Sequence, residues 1–411
     1  MSGMLSVDDA QQVIVDGVLP LGPEMVALGD ITGRVAADDC RAAITQPPFA
    51  ASAMDGYAAR FEDMSVGAIV DVIGEAPAGN PFEGAIHRGQ AVRVFTGGVV
   101  PVGADHVVIQ EDVALNGDGR ITITQEQDRP RNIRAAGIDF AKGDILVRSG
   151  TIFHELHGSI LATANLSQIP CRRRPRVGIF TNGNELKEPG TELQPGEIVN
   201  SNHYGICALI KSWGGVPVYL GCIADDEAAL CEVFERVDDL DVILPIGGAS
   251  VGDYDHVKGA FAKARGELVF SKVAVKPGKP TWLGKLNDAR VIGLPGNPAS
   301  AMVTCALFVQ PLIRRFLGQD GSSNFMTGTL QRPIEKNGSR ETYLRAQINS
   351  LKEGRVQLLV FPNQDSSLLS PFAECDALVR RLPHAAAGSV GEEVEFVYLR
   401  SPKMHAHLNL P

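Results

Sequence analysis

The sequence predicts a multidomain protein of α/β plus β class, built around a central doubly wound, mostly parallel α/β domain. Between residues 175 and 322, short apolar β-branched runs alternate with runs compatible with helices, which is typical of such a sheet. Between residues 68 and 146, and again beyond residue 326, the runs are short, alternating and interrupted by glycine. We therefore expect a β-rich insert domain before the α/β domain and a β-barrel-like domain after it.

Length and charge limit the classes of function. The 411 residues are too many for a single hydrophobic core, so two to four domains are expected. A net charge of −10 argues against non-specific binding to nucleic acid or to a membrane surface. An anionic substrate would therefore need positive charge gathered locally.

The cysteines and the first residues indicate a cytoplasmic protein. The seven cysteines are scattered and include no C-x-x-C pair, which favours reduced thiols in a cytosol. The first twenty residues carry three aspartates and no basic segment, so no signal peptide is expected. No apolar run reaches the length that spans a membrane.

The elements can be assigned in chain order. A first helix is expected at 6–18, where Ser6 and Asp9 resemble a capping box. In the stretch 47–58, Asp55-Gly56 is a turn signal. A further helix is expected at 151–166. Its His-Glu-Leu-His sequence lacks the H-E-x-x-H spacing of zinc sites, so we favour a packing role.

In the α/β domain we expect strands at 176–181, 216–221, 241–246, 267–275 and 289–294, and helices at 202–213, 226–237, 256–264 and 298–317.

Three strand ends of the α/β domain carry glycine and polar side chains. They lie in LDVILPIGGASVGDYD (240–255), VIGLPGNPASA (291–301) and RVGIFTNGNEL (176–186). Ligands bind beyond the carboxyl ends of such strands, and a glycine turn before a helix is a common anion site. Asp253 and Asp255 suit a divalent cation between carboxylate and phosphate. For that turn taken alone, an ordinary loop with an aspartate N-cap is an equally good interpretation.

Two further segments offer groups that bind ligands. The loop VKPGKP (275–280) presents Lys276 and Lys279 between turn residues that fix both of its ends, so we favour an anion site over solvated surface charge. Asn200-Ser201-Asn202 precedes a helix. One asparagine is explained as an N-cap, which leaves the other for a hydrogen bond to a ligand.

Four motifs together resemble a known family. GGASVGDYD, KPGKP and GLPGNPAS, in this order and spacing, and PPFAASAMDGYA near the amino terminus are similar to the molybdopterin molybdenumtransferases (MoeA and the E domain of gephyrin). The resemblance covers nearly the whole chain. It implies that the first helix packs on the helix at 151–166. The implied domains are a discontinuous helical linker domain (1–46 and 141–174), a β-rich insert (47–140), a MogA-like α/β domain (175–322) and a C-terminal β-barrel domain (323–411).

The resemblance also implies the site residues. The catalytic residues would be Glu185, Asp55, Asp255, Lys276 and Lys279. Glu185, Asp255 and Asp139 would hold Mg²⁺. The substrate-binding residues would be Thr96, Arg134, Gly247, Gly248, Ser250, Gly252, Pro295, Gly296, Asn297, Arg345, Ser366 and Ser370.

The implied reaction is molybdenum insertion. Adenylylated molybdopterin and molybdate bind, the metal passes to the dithiolene, the phosphoanhydride is cleaved with Mg²⁺ as cofactor, and AMP leaves. The resemblance further implies a homodimer in which the β insert of one subunit faces the α/β crevice of the other. The expected protein partners are a molybdopterin adenylyltransferase and apo-molybdoenzymes, and the sequence leaves molybdate and tungstate as open choices.

One position departs from the family pattern. The family usually has Thr-Gly-Asp-Glu where this chain has Asn182-Gly183-Asn184-Glu185. An amide can still bind a metal through its carbonyl oxygen, but losing a negative charge lowers metal affinity. We therefore expect Asn184 to lie outside the metal's ligand set and Glu185 to be the essential group.

Three other functions compete with this one. The adenylylating enzyme shares the α/β module, but it needs neither the β insert nor the barrel. A non-catalytic scaffold or carrier of the gephyrin type would not need its site residues, and Lys276, Lys279, Glu185 and Asp255 are all present. A nucleotide hydrolase on the same module is suggested only by Asn184.

Overall fold

The computed structural model describes residues 4–247, 256–322, 325–352 and 355–400. Contacts divide the chain into two compact units, one of Met1–Pro23 with Arg172–Pro411 and one of Glu24–Cys171. The boundaries of the four expected domains stay a prediction.

Helices are found mainly in the first unit. The α-helices are α1 (Val7–Val15), α2 (His157–Thr163), α3 (Asn202–Ser212), α4 (Glu227–Phe234), α5 (His256–Lys263), α6 (Pro298–Thr304) and α7 (Gln310–Phe316). A π-helical turn, Cys305–Val309, joins α6 to α7, and short 3-10 helices lie at Leu28–Asp30, Phe61–Asp63, Gln110–Asp112 and Ser370–Ala373.

The strands, in chain order, are β1 (Pro23–Ala27), β2 (Cys40–Arg41), β3 (Ala51–Ser52), β4 (Gly56–Ala59), β5 (Ile69–Ala76), β6 (Gln90–Val94), β7 (His106–Ile109), β8 (Val113–Leu115), β9 (Arg120–Ile123), β10 (Ile133–Arg134), β11 (Ile145–Val147), β12 (Gln168–Arg172), β13 (Arg176–Asn182), β14 (Leu186–Lys187), β15 (Ile198–Val199), β16 (Val216–Ile223), β17 (Val242–Ile246), β18 (Glu267–Phe270), β19 (Val275–Lys276), β20 (Trp282–Leu286), β21 (Ala289–Gly293), β22 (Met326–Leu330), β23 (Glu341–Lys352), β24 (Arg355–Val360), β25 (Ala377–Arg381) and β26 (Glu393–Tyr398).

The central sheet of the first unit confirms the predicted doubly wound architecture. Its strand order is β16-β13-β17-β21-β20-β18. The first four strands are parallel, and β20 and β18 are antiparallel. Strand β17 is buried throughout, because helices pack on the sheet in two pairs, α3 with α6 and α4 with α5. The strand expected at 267–275 is wrong: this stretch forms β18 and β19 in different sheets, and β20 was not predicted.

The first helix packs within the α/β unit, and its expected packing on the helix at 151–166 stays a prediction. Proline 311 has no N–H to donate to the carbonyl oxygen of Leu307, one turn earlier in the helix. Gln11 of α1 supplies the missing donor, with Nε2 at 2.8 Å from Leu307 O. Helix α1 therefore contacts the π-helical turn and α7.

The helix expected at 151–166 is also shorter than predicted. Helix α2 begins only at His157, because Phe153 is buried in the core of its unit and Ile152 pairs with Val35 in a β-bridge. The Nδ1 atoms of His154 and His157 each accept a backbone N–H, from Leu156 and His154 respectively.

The C-terminal strands close into the predicted barrel. Strands β23, β24, β22, β26 and β25 follow one another, and β25 pairs back with β23. Strand β19 adds to the barrel from the α/β sequence, with Lys276 opposite Thr342 of β23. The barrel therefore shares hydrogen bonds with the loop that carries both candidate lysines.

The second unit contains the predicted β-rich insert. Its main sheet has the order β7-β4-β6-β5-β9-β8 and is antiparallel except between β5 and β6. Strand β4 begins at Gly56, where the sequence indicated only a turn, and its four residues are all buried. Within the described residues no helix is long and apolar enough to cross a membrane. The side chains of Cys40, Cys171, Cys305 and Cys375 are buried.

A buried histidine holds one segment of the second unit. The imidazole of His106 is fully buried, and its Nδ1 accepts the N–H of Arg131 at 3.1 Å. Its Nε2 lies 3.2 Å from Oε1 of Gln127. The bond from Arg131 requires an unprotonated Nδ1 and therefore the neutral ring, and burial lowers the pKa of His106.

The burial of neutral His106 predicts that the free energy of unfolding depends on pH. Since the folded pKa of His106 lies below its unfolded value of about 6.5, the unfolded chain binds more protons below that pH. The stabilisation by His106 is complete above about pH 6.5 and is lost as pH falls towards the folded pKa. Urea unfolding between about pH 5 and 8 should therefore show a flatter profile for His106→Gln than for the unchanged chain.

The matched control is His87→Gln, because His87 is exposed in the same unit. His87→Gln should leave the slope unchanged. An equal slope in the His106 variant and the unchanged chain would contradict the assignment.

Candidate active site

The carboxyl ends of β13, β17 and β21 open into one cavity of about 630 Å³, here called the strand-end cavity. The order β16-β13-β17 puts the reversal of strand order between β13 and β17, where crevices form in open α/β sheets. No lysine, arginine or histidine is among the described residues that line it. The cavity is therefore polar without being cationic.

Glu185 supplies the carboxylate of the strand-end cavity. It follows β13, is exposed to the cavity, and has no hydrogen bond or ion pair from its carboxylate within the described part of the chain. The neighbouring Asn184 is turned away to another partner. Its Oδ1 accepts the N–H of Asp225 at 3.2 Å, and its own N–H donates to Oδ2 of Asp225 at 3.3 Å.

Gly247 contributes shape to the cavity and not a free N–H group. Gly247 lines the cavity at φ +99°, and a Cβ there would lie 2.6 Å from the carbonyl oxygen of Asn182. Its N–H already donates to Leu294 O at 3.1 Å. Pro295 and Gly296 line the same cavity.

Asn297 is the predicted N-cap residue of α6, and Pro298 is the predicted first residue. The Asn297 side chain makes no capping bond. Its Nδ2 instead donates to Oγ of Ser366 at 3.1 Å, and the N–H of Ala299 donates to Ser366 O at 2.9 Å. The start of α6 is therefore attached to a loop of the barrel.

Neither asparagine around Ser201 is the N-cap of α3. The N-cap position falls on Ser201, whose side chain makes no capping bond. Asn200 is buried and its Nδ2 lies within 3.0 Å of Thr181 Oγ1, Glu188 Oε1 and Tyr219 OH. Asn202 donates through Nδ2 to Gly296 O at 2.7 Å.

A second cavity, of about 560 Å³, contains the lysines and is here called the lysine cavity. Lys276, Lys279 and Arg340 line it, and Arg340 is fixed by a 3.0 Å bond from Nη1 to Val275 O. The hydroxyl-bearing residues Ser300, Thr342 and Ser366 also line it, and Pro280 lines both cavities. The cationic cavity and the strand-end cavity are thus neighbours in one unit.

Gly278 shapes the loop between the lysines. Its φ is +118°, and a Cβ there would lie 2.1 Å from Cγ2 of the buried Thr304 on α6. Its carbonyl accepts the hydroxyl of Thr281 at 2.8 Å. Only glycine fits between this loop and α6 without displacing one of them.

Arg345 is buried beneath the barrel loop. Its guanidinium donates to the carbonyl oxygens of Leu368 at 2.8 Å and Asp365 at 2.9 Å, and burial lowers the pKa of Arg345. Its Nε contacts Oε1 of Gln364 at 3.3 Å. We infer that Arg345 positions this loop. Ser370 begins a short 3-10 helix and is not among the residues that line either cavity.

The second unit holds the remaining candidates. Asp55 Oδ1 accepts the N–H of Thr96 at 2.7 Å and its hydroxyl at 2.8 Å, which lowers the pKa of Asp55. Arg134 lies on β10, which pairs with β3 just before Asp55. Asp139 is exposed, and its N–H donates to Gln46 O.

Five predicted residues, Gly248, Ser250, Gly252, Asp253 and Asp255, lie outside the described residues. Within the described residues, no group of three His, Cys, Asp or Glu side chains is placed to hold a metal ion. The sequence predicted a hydrogen bond to a ligand from one asparagine of Asn200-Ser201-Asn202, and both asparagines line the strand-end cavity. The sequence did not point to Arg340. Its only signal for Arg340 was the basic residue at the start of the long strand β23.

Comparison with known proteins places this geometry in a family. Family profiles match residues 5–165 (MoeA N-terminal region, domain I and II), 178–315 (probable molybdopterin binding domain) and 327–399 (MoeA C-terminal region, domain IV). The crystal structure of a molybdopterin biosynthesis MoeA protein from Pyrococcus horikoshii is similar with a TM-score of 0.86 at 29% identity, covering 97% of this chain and 100% of that one.

Two relatives identified by sequence similarity have the same protein name. The chain is 33% identical over 395 residues to the molybdopterin molybdenumtransferase of Haemophilus influenzae, covering 95% of this chain and 98% of that protein. It is 34% identical over 356 residues to the protein of the same name from a Nostoc species, covering 83% of this chain and 81% of that protein. The chain therefore belongs to the molybdopterin molybdenumtransferases, enzymes of molybdenum cofactor biosynthesis.

Proposed function

We propose that the chain inserts molybdenum from molybdate into adenylylated molybdopterin and releases AMP. One observation carries the proposal: a cationic cavity and a carboxylate-bearing cavity share Pro280 at the carboxyl ends of the parallel strands. The molybdate oxyanion needs the cationic cavity, and the phosphoanhydride with Mg²⁺ needs the carboxylate, so the proposed reaction needs both environments.

We also propose that the chain works as a homodimer, which light scattering would check.

The lysine cavity suits a tetrahedral dianion. Lys276, Lys279 and Arg340 bring three cations to one wall, in a chain whose net charge is −10. Cationic N–H donors form the stronger class of hydrogen bond with oxyanions. Hydroxyl groups of Ser300 and Thr342 are the neutral donors of the same cavity.

The strand-end cavity suits a phosphoanhydride with Mg²⁺. Mg²⁺ is commonly held by one or two carboxylates together with substrate phosphates, so a single free carboxylate at Glu185 fits this ion. Glu185 and Asp255 would hold it, and when bound it would neutralise charge that develops on the anhydride. Asn184, bonded to Asp225, takes no part in this and supports the turn.

The residues of the chain then have distinct tasks. The lysine cavity holds the oxyanion close to the wall formed by Pro280, and Arg345 holds the barrel loop that closes this wall. Asp55, paired with Thr96 in the second unit, stays ionised at neutral pH. Hydrolysis of the anhydride, with water attacking the phosphorus of the pterin phosphate, breaks the bond between the two phosphates and releases AMP as the leaving group.

Measuring AMP release tests the reaction. Purified protein is given adenylylated molybdopterin and Mg²⁺, with and without molybdate. Molybdate-dependent AMP release, with a product that activates an apo-molybdoenzyme, is the expected result. Tight binding without release would indicate a scaffold or carrier, and release that ignores molybdate would indicate a hydrolase.

Glu185→Gln should abolish most turnover. The change removes the charge and keeps the shape, so AMP release should fall on the order of 10²-fold while molybdate affinity is unchanged. Glu192→Gln is the matched control, because Glu192 is exposed in the following loop and does not line the cavity. Normal turnover by the Glu185 variant would contradict the assignment.

Gly278→Ala should displace the lysine loop. The new Cβ meets Thr304, so we expect a loss of about 1–3 kcal/mol in stability and a raised KM for molybdate. Adding Thr304→Ser removes the methyl group that the Cβ meets and keeps the hydroxyl that donates to Ser300 O at 2.8 Å. The double variant should recover part of both losses, and no recovery would show that the contact is not the cause.

A further inference from the structure

An unpaired acceptor lies in the wall of the strand-end cavity. Asn202, the first residue of α3, lines this cavity. Its Nδ2 donates to Gly296 O at 2.7 Å, which fixes the orientation of the amide, since two oxygens would repel each other there. Its Oδ1 is buried and has no hydrogen-bond donor within the described part of the chain.

The other asparagine side chains of this cavity have partners in the framework. Asn182 donates to the carbonyl oxygens of Ile223 and Ala224. Asn200 donates to side chains around it, and Asn297 donates to Ser366. Among the described residues that line the cavity, Oδ1 of Asn202 is the buried side-chain acceptor left without a donor.

An acceptor of this kind is costly to leave unpaired. Burying it without a donor costs about 1–3 kcal/mol, and such groups in native proteins call for a specific explanation. Bulk solvent does not supply the donor, because the atom is shielded in the cavity wall. A ligand held by its other contacts in the same cavity can supply one when a small shift of the Asn202 side chain presents Oδ1 to it while Nδ2 stays bonded to Gly296 O, and such side-chain adjustments are common on binding.

We propose that Asn202 is a specificity-determining residue whose Oδ1 accepts a hydrogen bond from an N–H or O–H group of the organic part of the substrate. The identity of that substrate rests on the function proposed above. Molybdate and ionised phosphates present only acceptors at neutral pH. Donors come from the amino group of the pterin, or from the amino and hydroxyl groups of the adenosine.

Two variants separate recognition from anchoring. Asn202→Leu removes both amide groups at nearly the same side-chain shape. Asn202→Asp keeps an oxygen in place of Oδ1 and loses the bond to Gly296. A residue that only anchors Gly296 would be damaged alike by both changes. A residue that recognises a donor would be damaged by leucine and would tolerate aspartate.

Calorimetry on the full chain tests this with uncharged probes, so that the aspartate does not repel them. The probes are pterin, adenosine and, as the match for pterin, lumazine, in which an oxo group replaces the 2-amino group. In Asn202→Leu, affinity for one probe should fall about 10-fold, while Asn202→Asp stays near the unchanged chain. Binding of molybdate alone should be equal in all three proteins.

The titrations with the different probes identify which part of the substrate supplies the hydrogen-bond donor. Loss confined to pterin, together with a loss of preference over lumazine, assigns the bond to the pterin amine; loss confined to adenosine assigns it to the nucleoside. Equal binding in Asn202→Leu and the unchanged chain, equal loss in both variants, or no binding of either probe would overturn the proposal. Because binding needs no turnover, failure of the proposed reaction would be seen separately in the AMP assay.

Discussion

The parallel sheet imposes the constraint on which the rest of this structure depends. Parallel strands start at one edge and end at the other, so β13, β17 and β21 must deliver their following loops to the same place. The order β16-β13-β17 separates the loops after β13 and β17, and a cavity remains between them. Glu185 and Gly247 meet there because each follows a strand end, although they are distant in sequence.

The barrel completes the second cavity by adding to this framework. Strand β19 leaves the α/β sequence and pairs with β23, which holds one side of the lysine loop. On the other side, Ser366 accepts bonds from Asn297 and Ala299 at the start of α6. Arg345 is buried under this loop and donates hydrogen bonds to its carbonyl oxygens. Its guanidinium, which the sequence suggested as a substrate-binding group, therefore positions the loop.

The two cavities differ in the charge of the side chains that line them, so each suits a different chemical group. An acidic chain gathers Lys276, Lys279 and Arg340 on one side of Pro280 and leaves the other side without cations among the described lining residues. Under the proposed function, the oxyanion and the anhydride would lie on opposite sides of this wall. The unpaired oxygen of Asn202 adds an acceptor to the side that lacks cations, where a neutral donor is the complementary group.

The sequence by itself determined the elements whose signals are local. Apolar β-branched runs predicted the central strands, Asn297-Pro298 predicted where α6 begins, and KPGKP predicted a fixed loop of two lysines. Tertiary structure decided the partners. Asn297 bonds Ser366, 69 residues away, instead of capping its helix, and Gln11 bonds Leu307 because Pro311 cannot. Spacing along the chain encodes periodicity and turn chemistry, whereas a side chain's partner depends on which distant loops the closed sheet and barrel bring within hydrogen-bond reach.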